Sequence, residues 1–100
     1  MTKHFNKLTP AEAERLALLV EEAGDVIHLT GAILRRGYES EYHDPDLTLR
    51  ELLEKKLGNL QHAIDRLCES KDVDPAEVKK CRDMRHKLMD LDLRHQGGAS

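Results

Sequence analysis

The sequence predicts an all-α fold, an antiparallel bundle of three main helices whose core is completed by oligomerisation. Three observations carry that expectation. Leu, Ala, Glu, Lys and Arg dominate the chain, which is helix composition. Three capping motifs each open a long run with helical apolar spacing. With no Trp, one Phe (Phe5) and two Tyr (Tyr38, Tyr42), the chain has no aromatics for a β-sandwich core.

The first helix is expected over about 10–36. Thr9-Pro10-Ala11-Glu12 is a capping box with proline at the first helical position, and Gly37 follows the basic pair Arg35-Arg36 as a C-terminal cap. Such a helix is roughly 40 Å long at about 1.5 Å per residue. Its main stripe is Leu16, Leu19, Val20, Ala23, Val26, Ile27, Thr30 and Leu34. A second flank carries Leu18, Leu29 and Ile33, with Glu22 and Asp25 between them. The helix is therefore apolar over more than half its circumference, more than one partner face inside a small monomer can cover.

The second helix, over about 48–69, starts at the capping box Thr48-Leu49-Arg50-Glu51 and is broken by Ser70-Lys71-Asp72. Leu49, Leu53, Leu57, Leu60, Ile64 and Leu67 form its stripe; Leu52, Lys56, Asn59 and Ala63 form a flank. The third, over about 75–92, starts at Asp74-Pro75-Ala76-Glu77 and offers only Val78, Cys81, Met84, Leu88 and Leu91, with Gly97-Gly98 ending any order. Helices this unequal imply a second subunit, in a dimer or tetramer. Gly24, Gly31 and Gly58 lie inside helices, where each costs about 1 kcal/mol relative to alanine. Close helix–helix approach is the usual compensation. The link Tyr38–Asp46 is longer than an antiparallel helix pair needs, and holds both tyrosines near Arg35 and Arg36. It reads either as a bland loop or as one that faces a ligand.

At 100 residues the chain makes one domain, 1–100, with a short flexible N-terminus (1–8) and tail (94–100). No apolar run approaches membrane-spanning length, and Met1-Thr2-Lys3-His4-Phe5-Asn6 is not a signal peptide, so a cytoplasmic protein without a membrane partner is expected. A formal charge of −3 argues against a nucleic-acid partner. Cys68 and Cys81 sit singly on apolar faces, outside any C-x-x-C pattern, and read as reduced core residues. The six histidines show no metal-ligand spacing, and Ser40 and Ser70 lack a paired base.

What remains is two polar runs within apolar helices, Glu21-Glu22-Ala23-Gly24-Asp25 and Lys56-Leu57-Gly58-Asn59. Two carboxylates three residues apart, facing two more on an antiparallel helix, make an oxygen cage suited to Mg²⁺. Glu-Glu-x-x-Asp in the first helix, then Leu57-Gly58-Asn59-Leu60-Gln61-His62-Ala63-Ile64 in the second, resembles the MazG-like all-α NTP pyrophosphohydrolases. Ile33-Leu34-Arg35-Arg36-Gly37-Tyr38-Glu39-Ser40 and Leu93-Arg94-His95-Gln96 resemble a small phage and bacterial branch of that group. The resemblance spans about 8–96. It implies hydrolysis of nucleoside triphosphates to monophosphate and pyrophosphate, with metal ligands from a Glu-Glu-x-x-Glu helix and a Glu-x-x-Asp helix.

Glu21 and Glu22 match that pattern, and Asp25 is a shortened third member. Lys56 and Asn59 stand where the second acidic pair belongs. At 4 Å, an effective dielectric of ~20 makes one unit-charge repulsion about 4 kcal/mol, and a dication carries two charges. Glu54 lies at a different angle and does not substitute. Lys56 instead suits a metal-free site, neutralising a half-buried Glu22 and Asp25.

The resemblance thus implies a nucleotide-binding protein that has lost hydrolysis, sequestering a nucleotide or nucleotide signal or regulating a partner, with no cofactor. Arg35, Arg36, Arg50, Lys55, Lys56 and Asn59 are the candidate ligand contacts, with Tyr38 or Tyr42 stacking on a base. One alternative is an active Mg²⁺-dependent pyrophosphohydrolase with Glu21, Glu22 and Asp25 as catalytic groups and Glu22 and Asp25 on the metal. Another is a helical adaptor that binds no nucleotide.

Overall fold

Each helix begins where nearby side chains satisfy its first free N–H groups. In the computed structural model, which describes residues 5–42 and 46–96, α1 runs Pro10–Arg36, α2 Leu49–Glu69 and α3 Pro75–Asp92. At α1 the box is reciprocal: Glu12 N–H donates to Thr9 Oγ1 (3.1 Å) and Thr9 N–H donates to Glu12 Oε1 (2.8 Å). Thr48 and Glu51 make the same exchange at α2, at 3.2 and 2.9 Å. At α3, Asp74 Oδ1 accepts from Ala76 N–H at 2.9 Å. Gly37, at φ 89°, closes α1 by donating its N–H to the Ile33 carbonyl at 2.7 Å. The fold is all-α, and no strand occurs among the described residues. The N-terminal stretch expected to be flexible includes a short 3-10 turn, Phe5–Lys7. Gly97 and Gly98 lie outside the described residues.

The chain divides into two compact units, Met1–Leu67 and Cys68–Ser100. In the first, α1 packs antiparallel to α2 around buried Leu29, Ala32 and Leu49, joined by Ile33, Tyr42, Leu52 and Leu53. The connection sets how α2 is turned about its axis. Leu49 N–H donates to the Ser40 carbonyl (2.8 Å), Arg50 N–H to the Tyr38 carbonyl (2.9 Å), and Glu41 and Thr48 form an isolated antiparallel bridge. Leu49 is thereby fixed against Leu29 and Ala32, and the flank holding Leu52 and Lys56 follows it onto α1.

That orientation decides which of the two apolar faces of α1 is used. The flank with Asp25, Leu29 and Ile33 forms the intramolecular contact, whereas Leu16, Val20, Ile27, Thr30 and Leu34 of the longer stripe remain exposed. On α2, Ala63 and Leu67 are buried and Leu57 is exposed.

The second unit is built on α3, of which no described side chain is buried. Cys68 is half-buried but Cys81 is exposed, which corrects the expectation that both are core residues. The reason is local: α3 is charged on most of its surface and leaves no apolar enclosure around that position. Among the described residues, no helix is long and apolar enough to cross a membrane.

Candidate functional site

Helical spacing puts Asp25, His28, Leu29 and Ala32 on the side of α1 that meets α2. Opposite them α2 brings Leu52 and Lys56, and the connection folds Tyr42 back over the pair. Asp25, His28, Leu29, Tyr42, Leu52 and Lys56 line a cleft of about 160 Å³. At its polar end Lys56 Nζ lies 3.1 Å from Asp25 Oδ2. At the other, His28 Nε2 and the Tyr42 phenol oxygen share a 2.6 Å hydrogen bond, the rings meeting edge-on at 69°. The Arg36 guanidinium sits 5.6 Å over the Tyr42 ring.

The Lys56 ammonium is held above the ordinary lysine range, chiefly by its hydrogen bond to Asp25 and the charge of that carboxylate, with further contributions from Glu22 and Glu21. One cation therefore feels all three acids of the first run. The pair is not deeply buried, with Lys56 29% and Asp25 41% exposed. Glu22 is half-buried and Glu21 exposed, and neither lines the cleft.

These residues do not fit a divalent cation. The acids come from one helix, an ammonium occupies the facing position, and no three metal-binding side chains converge among the described residues. No step of a metal-assisted reaction is derived from this site.

Compared with protein-family models, with curated proteins and with solved structures, the chain matches none.

The remaining candidate ligand groups fall elsewhere. Arg50 donates through Nε (3.0 Å) and Nη2 (2.6 Å) to Glu39 Oε2 and covers the Tyr38 ring at 4.4 Å. Glu39 raises the Arg50 pKa further above an already high value. Arg50 is thus engaged with both Tyr38 and Glu39, away from the cleft lining. Arg35 and Lys55 are exposed, and Asn59 is half-buried on the Lys56 flank; none of the three lines the cleft. The residue that sequence reasoning passed over is His28. Its signal is position, three residues after Asp25 on the same helix face, which metal-ligand spacing among the histidines does not register.

The exposure of the Asp25–Lys56 pair sets the size of its contribution. Lys56→Ala is expected to cost no more than about 1 kcal/mol, against roughly 3 kcal/mol for a deeply buried pair. Because the folded-state pKa of Lys56 is raised above 10.5, its contribution is complete at neutral pH and is lost as pH rises through the folded value. Urea denaturation of parent and variant at pH 7 and pH 11 should show their difference shrinking in alkali. A difference that grows with pH would mean that the ammonium does not stabilise this site.

Proposed function

We propose that the protein binds a nucleotide-type ligand without hydrolysing it, on a MazG-like helical scaffold in which Lys56 takes the place of the metal. The observation that carries this reading is the 3.1 Å contact of Lys56 Nζ with Asp25. An ammonium neutralises the acids as a metal would, but offers no open coordination position to bridge phosphates or lower the pKa of a water. The cleft supplies the binding half of the reading. Its volume of about 160 Å³ is below the ~300 Å³ of small ligand pockets, so it takes one moiety of a ligand rather than the whole. A base suits it: Leu29 and Leu52 offer apolar contact, and Asp25 accepts from a ring or exocyclic N–H. Phosphates then lie outside, where Arg36, held over the Tyr42 ring, is a candidate contact from the predicted set.

The test is incubation with pooled nucleotides and Mg²⁺, followed by mass spectrometry of both the supernatant and the extract of the denatured protein. Intact nucleotide in the extract, reduced by Asp25→Asn, is the expected result. Monophosphate and pyrophosphate in the supernatant would restore the enzyme reading. An empty extract would favour a helical adaptor, the reading that the exposed outer face of α1 supports.

A further inference from the structure

The face of α1 turned away from α2 repeats every seven residues. Val20, Ile27 and Leu34 are 71%, 72% and 83% exposed, an unusual amount of branched aliphatic surface for one helix. Ala17, Gly24 and Gly31 alternate with them at steps of three and four. This is a two-position heptad seam, large at one position and small at the other. Among the described residues, no neighbour accounts for the two glycines. A Cβ at Gly24 would meet nothing within 4 Å, and one at Gly31 would meet only the guanidinium of its own Arg35, at 3.5 Å. Glycine inside a helix costs about 1 kcal/mol relative to alanine, and no intramolecular approach compensates it here.

Charge selects the occupant and its direction. Beside the seam, three heptads apart, lie Glu14 toward its start and Arg35 toward its end. Both are exposed, one acidic and the other basic. In an antiparallel pair of identical helices centred on Gly24, such a flank meets its own reverse. Glu14 then faces the partner's Arg35, and Arg35 the partner's Glu14. A parallel pair in register would instead set each flank residue beside the uncharged row Leu16, Ala23 and Thr30.

We infer that the outer face of α1 docks a second copy of this chain, antiparallel about a two-fold axis near Gly24, with Val20, Ile27 and Leu34 packing over the small positions of the partner. This inference stands independently of nucleotide binding, which uses the opposite side of α1.

Sedimentation velocity on the full chain, from one to a hundred micromolar, tests it. The parent is expected to be a dimer. Ile27→Glu should raise the dissociation constant at least a hundredfold while helix content by circular dichroism is unchanged. Arg35→Glu should weaken the dimer about tenfold, by placing two acids opposite each other, and Glu14→Arg in that background should return it to within about threefold of the parent. The restoring pair keeps the test informative should Ile27→Glu fail to fold. A monomeric parent, including one whose seam is covered by another part of the same chain, overturns the inference. So does a dimer indifferent to Ile27→Glu, or one that Glu14→Arg weakens further when combined with Arg35→Glu.

Discussion

Leu49→Ala is expected to destabilise the protein by about 3 kcal/mol, within the ~2–5 kcal/mol seen when a buried leucine is truncated in a core that cannot collapse around the gap. Leu49 is fully buried, its exposure 0%, and it packs in one cluster with buried Leu29 and Ala32. Its position is also fixed from behind, because its N–H is held by the Ser40 carbonyl. Relaxation into the cavity would break that bond. Since a domain of this size has about 5–15 kcal/mol of total stability, the loss should lower the melting temperature by roughly 10–20 °C. Leu57→Ala, at an exposed position on the same helix, is the control and should cost well under half as much. Equal effects of the two changes in urea denaturation would show that the contact at Leu49 is not the centre of the core.

Lys56→Glu combined with Asn59→Asp is expected to make stability depend on a divalent cation. The double change removes the ion pair with Asp25 and sets two new carboxylates on the flank of α2 that faces α1. Without metal the variant should be less stable than the parent by about 1–2 kcal/mol, from the lost pair and the added like-charge repulsion. Mg²⁺ at a hundred times its Kd should then return about 2.7 kcal/mol. The parent should show no such gain, because the Lys56 ammonium repels the ion. Thermal melts with and without millimolar Mg²⁺ separate the outcomes. A double variant as stable as the parent and indifferent to Mg²⁺ would mean that the two runs do not form one site. A parent stabilised by Mg²⁺, with the gain abolished by Glu22→Gln, would mean that metal still binds.

The parts of this molecule that sequence made legible are those decided within a few residues. The boxes at Thr9 and Thr48 and the cap at Asp74 place three helix starts to within a residue, because each donor and acceptor lies at most three positions away. Lys56 opposite Asp25 was also legible, since a half-buried carboxylate calls for a cation and the facing helix offered one. The choice between the two apolar faces of α1 was not. It depends on how α2 is turned, and that is set by backbone bonds from Ser40 and Tyr38, which no side-chain pattern records. The pairing of His28 with Tyr42 was hidden for the same reason. Arg50, expected as a ligand group, turns to Glu39 and to the Tyr38 ring because the connection brings them together.

The bonds that tie the connection to the start of α2 also bear on the order in which the chain finds its shape. Closing a loop costs more as it lengthens, by about 0.6 kcal/mol for each doubling. The contacts nearest the connection, Ser40 with Leu49 and Tyr38 with Arg50, close the shortest loops. Leu29 against Leu49 comes next, and Asp25 against Lys56 closes a longer one still. Each contact shortens the loop left for the next, so loop closure favours a hairpin that zips from its turn outward. Local nuclei followed by sequential short closures are the conditions for folding in microseconds to milliseconds. The cleft, lying between the turn and the free ends, is completed only in the later steps of that passage.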